Sequence, residues 1–407
     1  MRLNYFAFAI PLFLLLMLAE MLGARKRPQS YFHHPETIAN ISVGIAERLC
    51  DLFVAGLFYQ LYDHLQKRYG LFHIRSTFGY WIILLVATDF LWYWYHRLAH
   101  ELNILWAVHV VHHQSSDFNF TVSARITLLQ ALVRAGFWCL LPVAGFSADM
   151  ITGILILHGL YPFFVHTRLV GKLGPLEYFM VTPSHHRVHH ASNPCYLDKN
   201  YGDMFIIWDK LFGTFCEEDK NVDIVYGLTE PLGSYSFLWQ HFHFVIELYH
   251  GVCQRKGWKN KLRLFVESPK SLEPGIRAGA ERFFRIKKYD RQTPPKLNRY
   301  VVWQIAITLI ILFLFILFSY NIPVLYHWAI SALILITLVN CGAILEQKAW
   351  IVYLEAIRLL VLVLLLAVLS AAVWVVLLLI IAASLVPLYF RYLSWLYLGW
   401  VYRTSPA

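Results

Sequence analysis

Phe90-Leu-Trp-Tyr-Trp-Tyr-His-Arg-Leu-Ala-His100 closes a largely apolar run that begins near Phe78. A run of this length ending in a belt of aromatic rings reads as a helix that crosses hydrocarbon and surfaces at the interface. His96 and His100 follow the belt four residues apart, so at 3.6 residues per turn they share one helix face. The rings alone would mean only an interfacial belt. Ionisable groups at the end of a span are costly to leave unpaired, so the histidines call for a partner.

Working outward, apolar runs of similar length recur at Tyr5–Leu22, Ile38–Tyr62, Leu128–Phe146 and Ile151–Val165, and again at Val301–Ser319 and Pro323–Val339. The stretch from Ile351 to Leu388 is long enough for two passes. At about 20 residues per crossing, the sum is about eight to nine spans. The composition agrees: 407 residues are 58% hydrophobic, with a mean hydropathy of +0.51, more apolar surface than a soluble core of that size needs. The expected fold is all-α, a polytopic membrane helical bundle with a cytosolic helical cap that carries a histidine-rich di-metal site. Three regions are expected: residues 1–170 with the first spans and two histidine clusters, 171–298 with the third cluster, and 299–407 with the C-terminal spans. The N-terminal run leads into Arg25, Lys26 and Arg27 without a small-residue cleavage site, and so reads as a retained anchor.

The formal charge is +10, and most of the Lys and Arg lie between Gly171 and Arg299, which favours a cytosolic segment beside anionic headgroups. The basic residues are interleaved with Glu and Asp and flanked by spans, a poor pattern for nucleic acid. Six cysteines without a Cys-x-x-Cys pair indicate neither a disulfide framework nor a zinc–thiolate site. If Arg25–Arg27 are cytosolic, counting passes returns the chain to the cytosol near Tyr95 and again near His166. Every histidine cluster then falls on one side. Lys67, Arg68 and Arg75 would sit in the outer loop, against the charge rule, but the same-side result depends only on parity.

Three of these clusters stand out among 19 histidines: His96 and His100; His109, His112 and His113; and His185, His186, His189 and His190. Spacings of three and four residues let each cluster aim several imidazoles at one point. Neutral imidazole is the commonest protein metal ligand, and a structural zinc takes four ligands. So many rings exceed the need of one ion, and two adjacent ions fit most simply. Imidazole suits iron, zinc and copper alike. His166, at the end of the fifth span, is a further candidate ligand by position. His158, in mid-span, reads as a buried polar residue; His33, His34, His64, His73, His241, His243, His250 and His327 read as interface or loop. Carboxylates that could orient ligand rings are Glu101, Asp117, Asp198, Asp203 and Asp209, with Glu101 and Asp117 foremost.

The three clusters, in this order and separated by two spans, resemble the fatty acid hydroxylase and sterol desaturase superfamily of membrane di-iron enzymes. The likeness continues through Leu197-Asp-Lys-Asn-Tyr-Gly-Asp-Met-Phe-Ile-Ile-Trp-Asp-Lys-Leu-Phe-Gly-Thr-Phe215. Within the superfamily, His96 to Trp106, Leu173-Gly-Pro-Leu-Glu177 and Thr182-Pro-Ser-His-His-Arg-Val-His-His190 most resemble the alkylglycerol monooxygenases, which cleave ether lipids, and Asp117, Asn119 and Arg125 match the polar stretch after the second cluster. The resemblance implies His96, His100, His109, His112, His113, His186, His189 and His190 as ligands, with Glu101, Asp117, Asn119 and His185 in catalytic roles. Val110-Val111, Gln114 and Ser116 depart from the family pattern, which bears on substrate rather than metal.

The implied reaction oxidises a lipid C–H bond with dioxygen at a centre of two irons. On an alkylglycerol this cleaves the ether bond to a fatty aldehyde and a glycerol derivative. Fatty acid or sterol hydroxylation or desaturation is the alternative within the superfamily. The sequence has no Gly-x-Gly-x-x-Gly fingerprint and no His-Pro-Gly-Gly haem module, so electrons come from an external donor. The resemblance implies tetrahydrobiopterin for the ether-cleaving reading and a separate redox protein for the other. The implied location is a multi-pass integral membrane protein, of the endoplasmic reticulum in a eukaryote or the inner membrane in a bacterium, with its site facing the cytosol. A metal transporter would place ligands near the midplane on broken helices, whereas these lie at span ends.

Overall fold

How each helix starts and stops sets the architecture. The computed structural model describes residues 2–27, 30–286, 294–369 and 373–402, and among these residues no strand occurs. Two isolated bridges, Met180 with Phe205 and Ala191 with Tyr226, are the extended pairings seen. Four described helices are long and apolar enough to cross a membrane: Tyr5–Ala24, Ala148–Val165, Pro295–Leu317 and Val324–Leu345. The expected number was larger for identifiable reasons. The run Ile38–Tyr62 lies in a 36-residue helix that carries Glu47, Arg48 and Asp51, the run from Phe78 to Tyr95 lies in a 24-residue helix made less apolar by Asp89 and its Trp and Tyr rings, and the two passes expected after Ile351 flank residues 370–372, outside the described residues.

The chain forms two compact units. One comprises residues 15–232 and 240–287, and its helices run in order: α1 (Ala9–Ala24, from Leu15), α2 (His34–Tyr69), α3 (Phe78–Glu101), α4 (Asn103–His109), α5 (Phe120–Ser123), α6 (Leu128–Phe137), α7 (Leu140–Ala144), α8 (Ala148–Val165), α9 (Pro183–His189), α10 (Ile207–Phe212), α11 (Phe237–Gln254, from Gln240), α12 (Trp258–Val266) and α13 (Ile276–Phe283). The third histidine cluster, on α9, thus belongs to the same unit as the first two.

In this unit α2, α3, the α6–α7 pair and α8 pack side by side. Leu128–Phe146, expected as one span, is instead two short helices. Pro142 explains the break: its ring cannot bond the carbonyl four residues back, at Trp138, and clashes with it. The pair still covers the distance between the two ends. Thr127 Oγ1 caps α6 at Gln130 N (3.1 Å) and bonds Val108 O (2.8 Å), while at the far end Leu71 N bonds Val143 O (2.9 Å). Gly145 closes the turn into α8 at φ 115°, where an added Cβ would lie 2.1 Å from Phe72 O. Tyr62, Leu84, Trp138, Leu141, Phe146, Met150, Ile151 and Ile154 form the core between these helices.

The other unit comprises residues 1–14, 233–239 and 288–407, with α14 (Pro295–Leu317), α15 (Val324–Leu345), α16 (Ile351–Leu369) and α17 (Val373–Tyr402) packed in succession. Polar contacts tie it together inside an apolar block. Glu355 accepts from Asn340 Nδ2 (2.5 Å) and Tyr397 Oη (2.9 Å) and pairs with Arg358 (2.6 Å), which donates to Gln304.

Candidate metal centre

All nine histidines singled out as ligands converge, and they do so as two groups. His96, His100, His109, His113 and His189 offer nitrogens that all lie within 4.8 Å of one another, and so do His112, His166, His186 and His190. The segments that bring them together are the end of α3, the end of α4 with the turn after it, the residue that closes α8, and α9 with the residue that follows it. Pro183 at the first turn and the reciprocal Thr182–His185 cap start α9, which fixes the phase at which His186, His189 and His190 face inward. The groups abut: the His113 and His190 rings stack at 4.4 Å.

The nitrogen separations carry the chemistry. Nε2 atoms face each other at 3.1 Å between His96 and His109, 3.2 Å between His109 and His113, 3.2 Å between His112 and His166, 3.0 Å between His166 and His186, and 3.1 Å between His186 and His190. The opposite ring edges point at carbonyls. Nδ1 of His96 lies 2.8 Å from Tyr201 O, that of His112 3.2 Å from Arg125 O, that of His166 2.5 Å from Pro162 O, and that of His189 2.9 Å from Lys199 O; His109 Nδ1 lies 3.4 Å from Gln130 Oε1. A carbonyl only accepts, so each of these Nδ1 atoms donates its proton and leaves Nε2 bare. Bare lone pairs about 3 Å apart repel unless a cation lies between them. Two metal–imidazole bonds of about 2.1 Å meeting at a right angle put their nitrogens about 3.0 Å apart, which matches. Among the described residues, His100 Nε2 and His189 Nε2 are buried with no hydrogen-bond partner, as inward-facing ligand atoms would be. The donor set therefore fits two ions.

The electrostatics agree. Burial pushes His189 down to about 4 and His166 to about 3. It also holds His109, His112, His113, His186 and His190 well below the ordinary imidazole range, with neighbouring rings adding to the shift. Rings kept neutral at physiological pH keep their lone pairs available.

The four residues expected in catalytic roles lie outside both groups. Glu101 pairs with Arg97 at 2.9 Å on the exposed side of α3, because five residues from His96 is a different helix face. Asp117 accepts from His33 N (2.7 Å) and Nδ1 (2.5 Å). Asn119 caps α5 and donates to Tyr31 O (2.7 Å). His185, one residue before His186 and so rotated away, caps α9 and lies against Phe215. Of the other candidate orienting carboxylates, Asp198 pairs with Lys270 and lies 4.0 Å from His100 Nδ1, Asp203 reaches His158, and Asp209 binds the Tyr201 and Gly202 amides. The groups that do orient ligand rings are mostly backbone carbonyls, which leave no trace in side-chain identity. Arg125 is another participant: buried, it donates to Val111 O, Asn40 Oδ1 and Gln114 Oε1 and braces the second cluster.

Residues 81–214 match the fatty acid hydroxylase family. The chain is 35% identical over 271 residues to the alkylglycerol monooxygenase of Homo sapiens, covering 65% of this chain and 60% of the relative. It is 32% identical over 373 residues to that of Danio rerio, covering 88% and 81%. An ornithine lipid hydroxylase of Rhizobium tropici is 28% identical over 149 residues, covering 36% and 45%. The chain thus spans less than two thirds of the human relative's length and more than two thirds of the fish one's. No solved structure matches.

Proposed function

The chain belongs to the alkylglycerol monooxygenase family of fatty acid hydroxylases, and from that premise we propose that it is an integral membrane di-iron monooxygenase that cleaves the ether bond of alkylglycerols. The observation that carries this reading is the division of nine inward-facing imidazoles into groups of five and four with Nε2 separations of 3.0–3.2 Å. His96, His100, His109, His113 and His189 would hold one iron, and His112, His166, His186 and His190 the other. When bound, the iron pair supplies dioxygen activation and insertion of one oxygen atom into a lipid C–H bond.

The protein's own part is positioning and exclusion of water. The carbonyls of Tyr201, Lys199, Arg125 and Pro162 hold Nδ1–H and turn each Nε2 inward. Phe118, fully buried, stacks on His166 at 5.6 Å and on Tyr226 at 4.9 Å, and so closes the four-histidine side with apolar surface. Hydroxylation at the carbon beside the ether oxygen gives a hemiacetal, which collapses to a fatty aldehyde and a glycerol derivative. An external donor supplies the electrons, a tetrahydropterin in this reading. The site faces the cytosol, where the basic middle of the chain meets anionic headgroups.

The test is to incubate purified full-length protein with an alkylglycerol, dioxygen and either a tetrahydropterin or a ferredoxin-type donor. Aldehyde release with the pterin alone is expected, together with two irons per chain by elemental analysis. His112→Ala should lower turnover by at least ~100-fold and remove iron while the chain still inserts; His250→Ala should change neither. The partial match to an ornithine lipid hydroxylase favours a second reading, hydroxylation of another lipid with a redox protein as donor. Product on such a lipid and none on alkylglycerol would select it.

A further inference from the structure

We propose that His158 forms a cationic bracket with Asp89 and Asp203 that locks segment 198–209 in place and so positions His96 and His189, two ligands of the five-histidine group. The proposal rests on the metal-centre reading above and adds to it a device that serves one of the two ions.

Asp89 is the one charged residue in the run 78–95, two helical turns before His96 on α3. An ionisable group at such a place is a functional candidate by default. Asp89 is fully buried and accepts from Met204 N (2.9 Å), Phe205 N (3.2 Å), Trp208 Nε1 (2.9 Å) and His158 Nε2 (3.1 Å). The other edge of the His158 ring meets a second carboxylate as an ion pair, with Nδ1 2.9 Å from Asp203 Oδ2, a buried oxygen that has no aligned hydrogen-bond donor. His158 and Asp203 are 2% and 5% exposed, so neither contact is diluted by solvent. Two buried carboxylates flank the ring on opposite edges, so a cationic ring neutralises charge that would otherwise be buried unpaired, donating to Asp89 and ion-pairing with Asp203. The two nitrogens point in opposite directions and a single ion could take only one of them. One ligand atom from each of Asp89, His158 and Asp203 lies within 4.8 Å of the others, so a metal ion is the competing occupant, and the number of metal equivalents per chain separates it from the clasp.

The clasp holds a segment with little freedom of its own. Asp198 and Asn200 sit at φ 59° and 56°, left-handed positions that Asp and Asn tolerate. Gly202 has no room for a Cβ, which would meet Phe205 O at 2.5 Å. Asp209 binds the amides of Tyr201 (2.7 Å) and Gly202 (2.8 Å) from the far side. Between these anchors the carbonyls of Lys199 and Tyr201 reach Nδ1 of His189 and His96. The four-histidine group takes its carbonyls from Arg125 and Pro162, outside the segment. Loosening the clasp should therefore free one ion and spare the other.

The experiment uses full-length protein in nanodiscs and compares wild type with Asp203→Asn, which keeps shape and removes charge, and with His158→Gln. Release of iron to a chelator and amide exchange over residues 199–208 are followed. Loss of an outer hydrogen-bond partner typically weakens a metal site about 10–100-fold. One of the two ions should leave faster by about that factor, and exchange should rise across 199–208. Unchanged exchange, equal acceleration of both ions, or a third metal equivalent that disappears with His158→Gln would overturn the bracket. If His158→Gln does not insert, Asp203→Asn carries the test alone. A wild-type chain without iron would overturn the proposed function, and the exchange measurement would still decide the bracket.

Discussion

An imidazole binds metal through a bare nitrogen, so the pairing of its other nitrogen matters as much as its aim. Sequence spacing points to eight of the nine converging rings, because three- and four-residue intervals fix helical phase locally, and His166 is singled out by its place at the end of a span. It does not identify what lies behind them. Glu101 and Asp117 have the right chemistry and find Arg97 and His33 instead, while carbonyls of Lys199, Tyr201, Arg125 and Pro162 do the orienting. The same burial has a measurable consequence. His189 falls from 6.5 to about 4 and His166 from 6.5 to about 3, whereas in the unfolded chain both titrate at the ordinary value. Below that value the unfolded state binds more protons than the folded one. Stability of the metal-stripped protein is thus whole above 6.5 and is lost as pH falls toward about 4 and then about 3. Thermal unfolding at about pH 7.5 and about pH 5 checks this. Tm should fall on acidification, and a constant Tm would mean that the rings titrate as exposed ones do.

At the scale of elements, apolar length predicts helices well and their interruptions poorly. The run Leu128–Phe146 is continuous in hydropathy, yet α6 and α7 divide before Pro142, a signal present in the sequence and outweighed there by apolar character. Asp89 is the converse: one acid in an apolar run, whose partners the sequence does not name, fastens α3 to the segment after the third cluster. The turn between α7 and α8 gives a test of such local constraints. Gly145→Ala forces a side chain into φ 115° and against Phe72 O. It should cost about 1–3 kcal/mol for the backbone alone, more with the contact, seen as a lower unfolding midpoint in denaturant. A midpoint equal to wild type would show that the turn relaxes freely.

At the scale of the whole molecule, the question is which side of the membrane holds the chemistry. Nine rings from α3, α4, α8 and α9 and the turns that follow them converge in two groups. In the proposed function they lie on the cytosolic side, on the ground of the basic residues of the middle region. Cys195, exposed five residues after His190, and Cys253, exposed in the same unit, report on it. A membrane-impermeant maleimide should label both in opened cells and neither from outside intact ones. Labelling from outside would reverse the orientation and leave the metal chemistry untouched.

By itself the sequence determined that the chain is helical and apolar, and singled out the imidazoles that converge, because periodicity, spacing and place at a span end are read over a few residues. Only the tertiary structure decided that those rings divide five and four, and that His158 is clasped by Asp89 and Asp203. The physical reason is separation along the chain. His96 is held by a carbonyl 105 residues away and Asp89 by amides 115 and 116 residues away, and no local pattern encodes which distant backbone groups packing will bring within hydrogen-bonding distance.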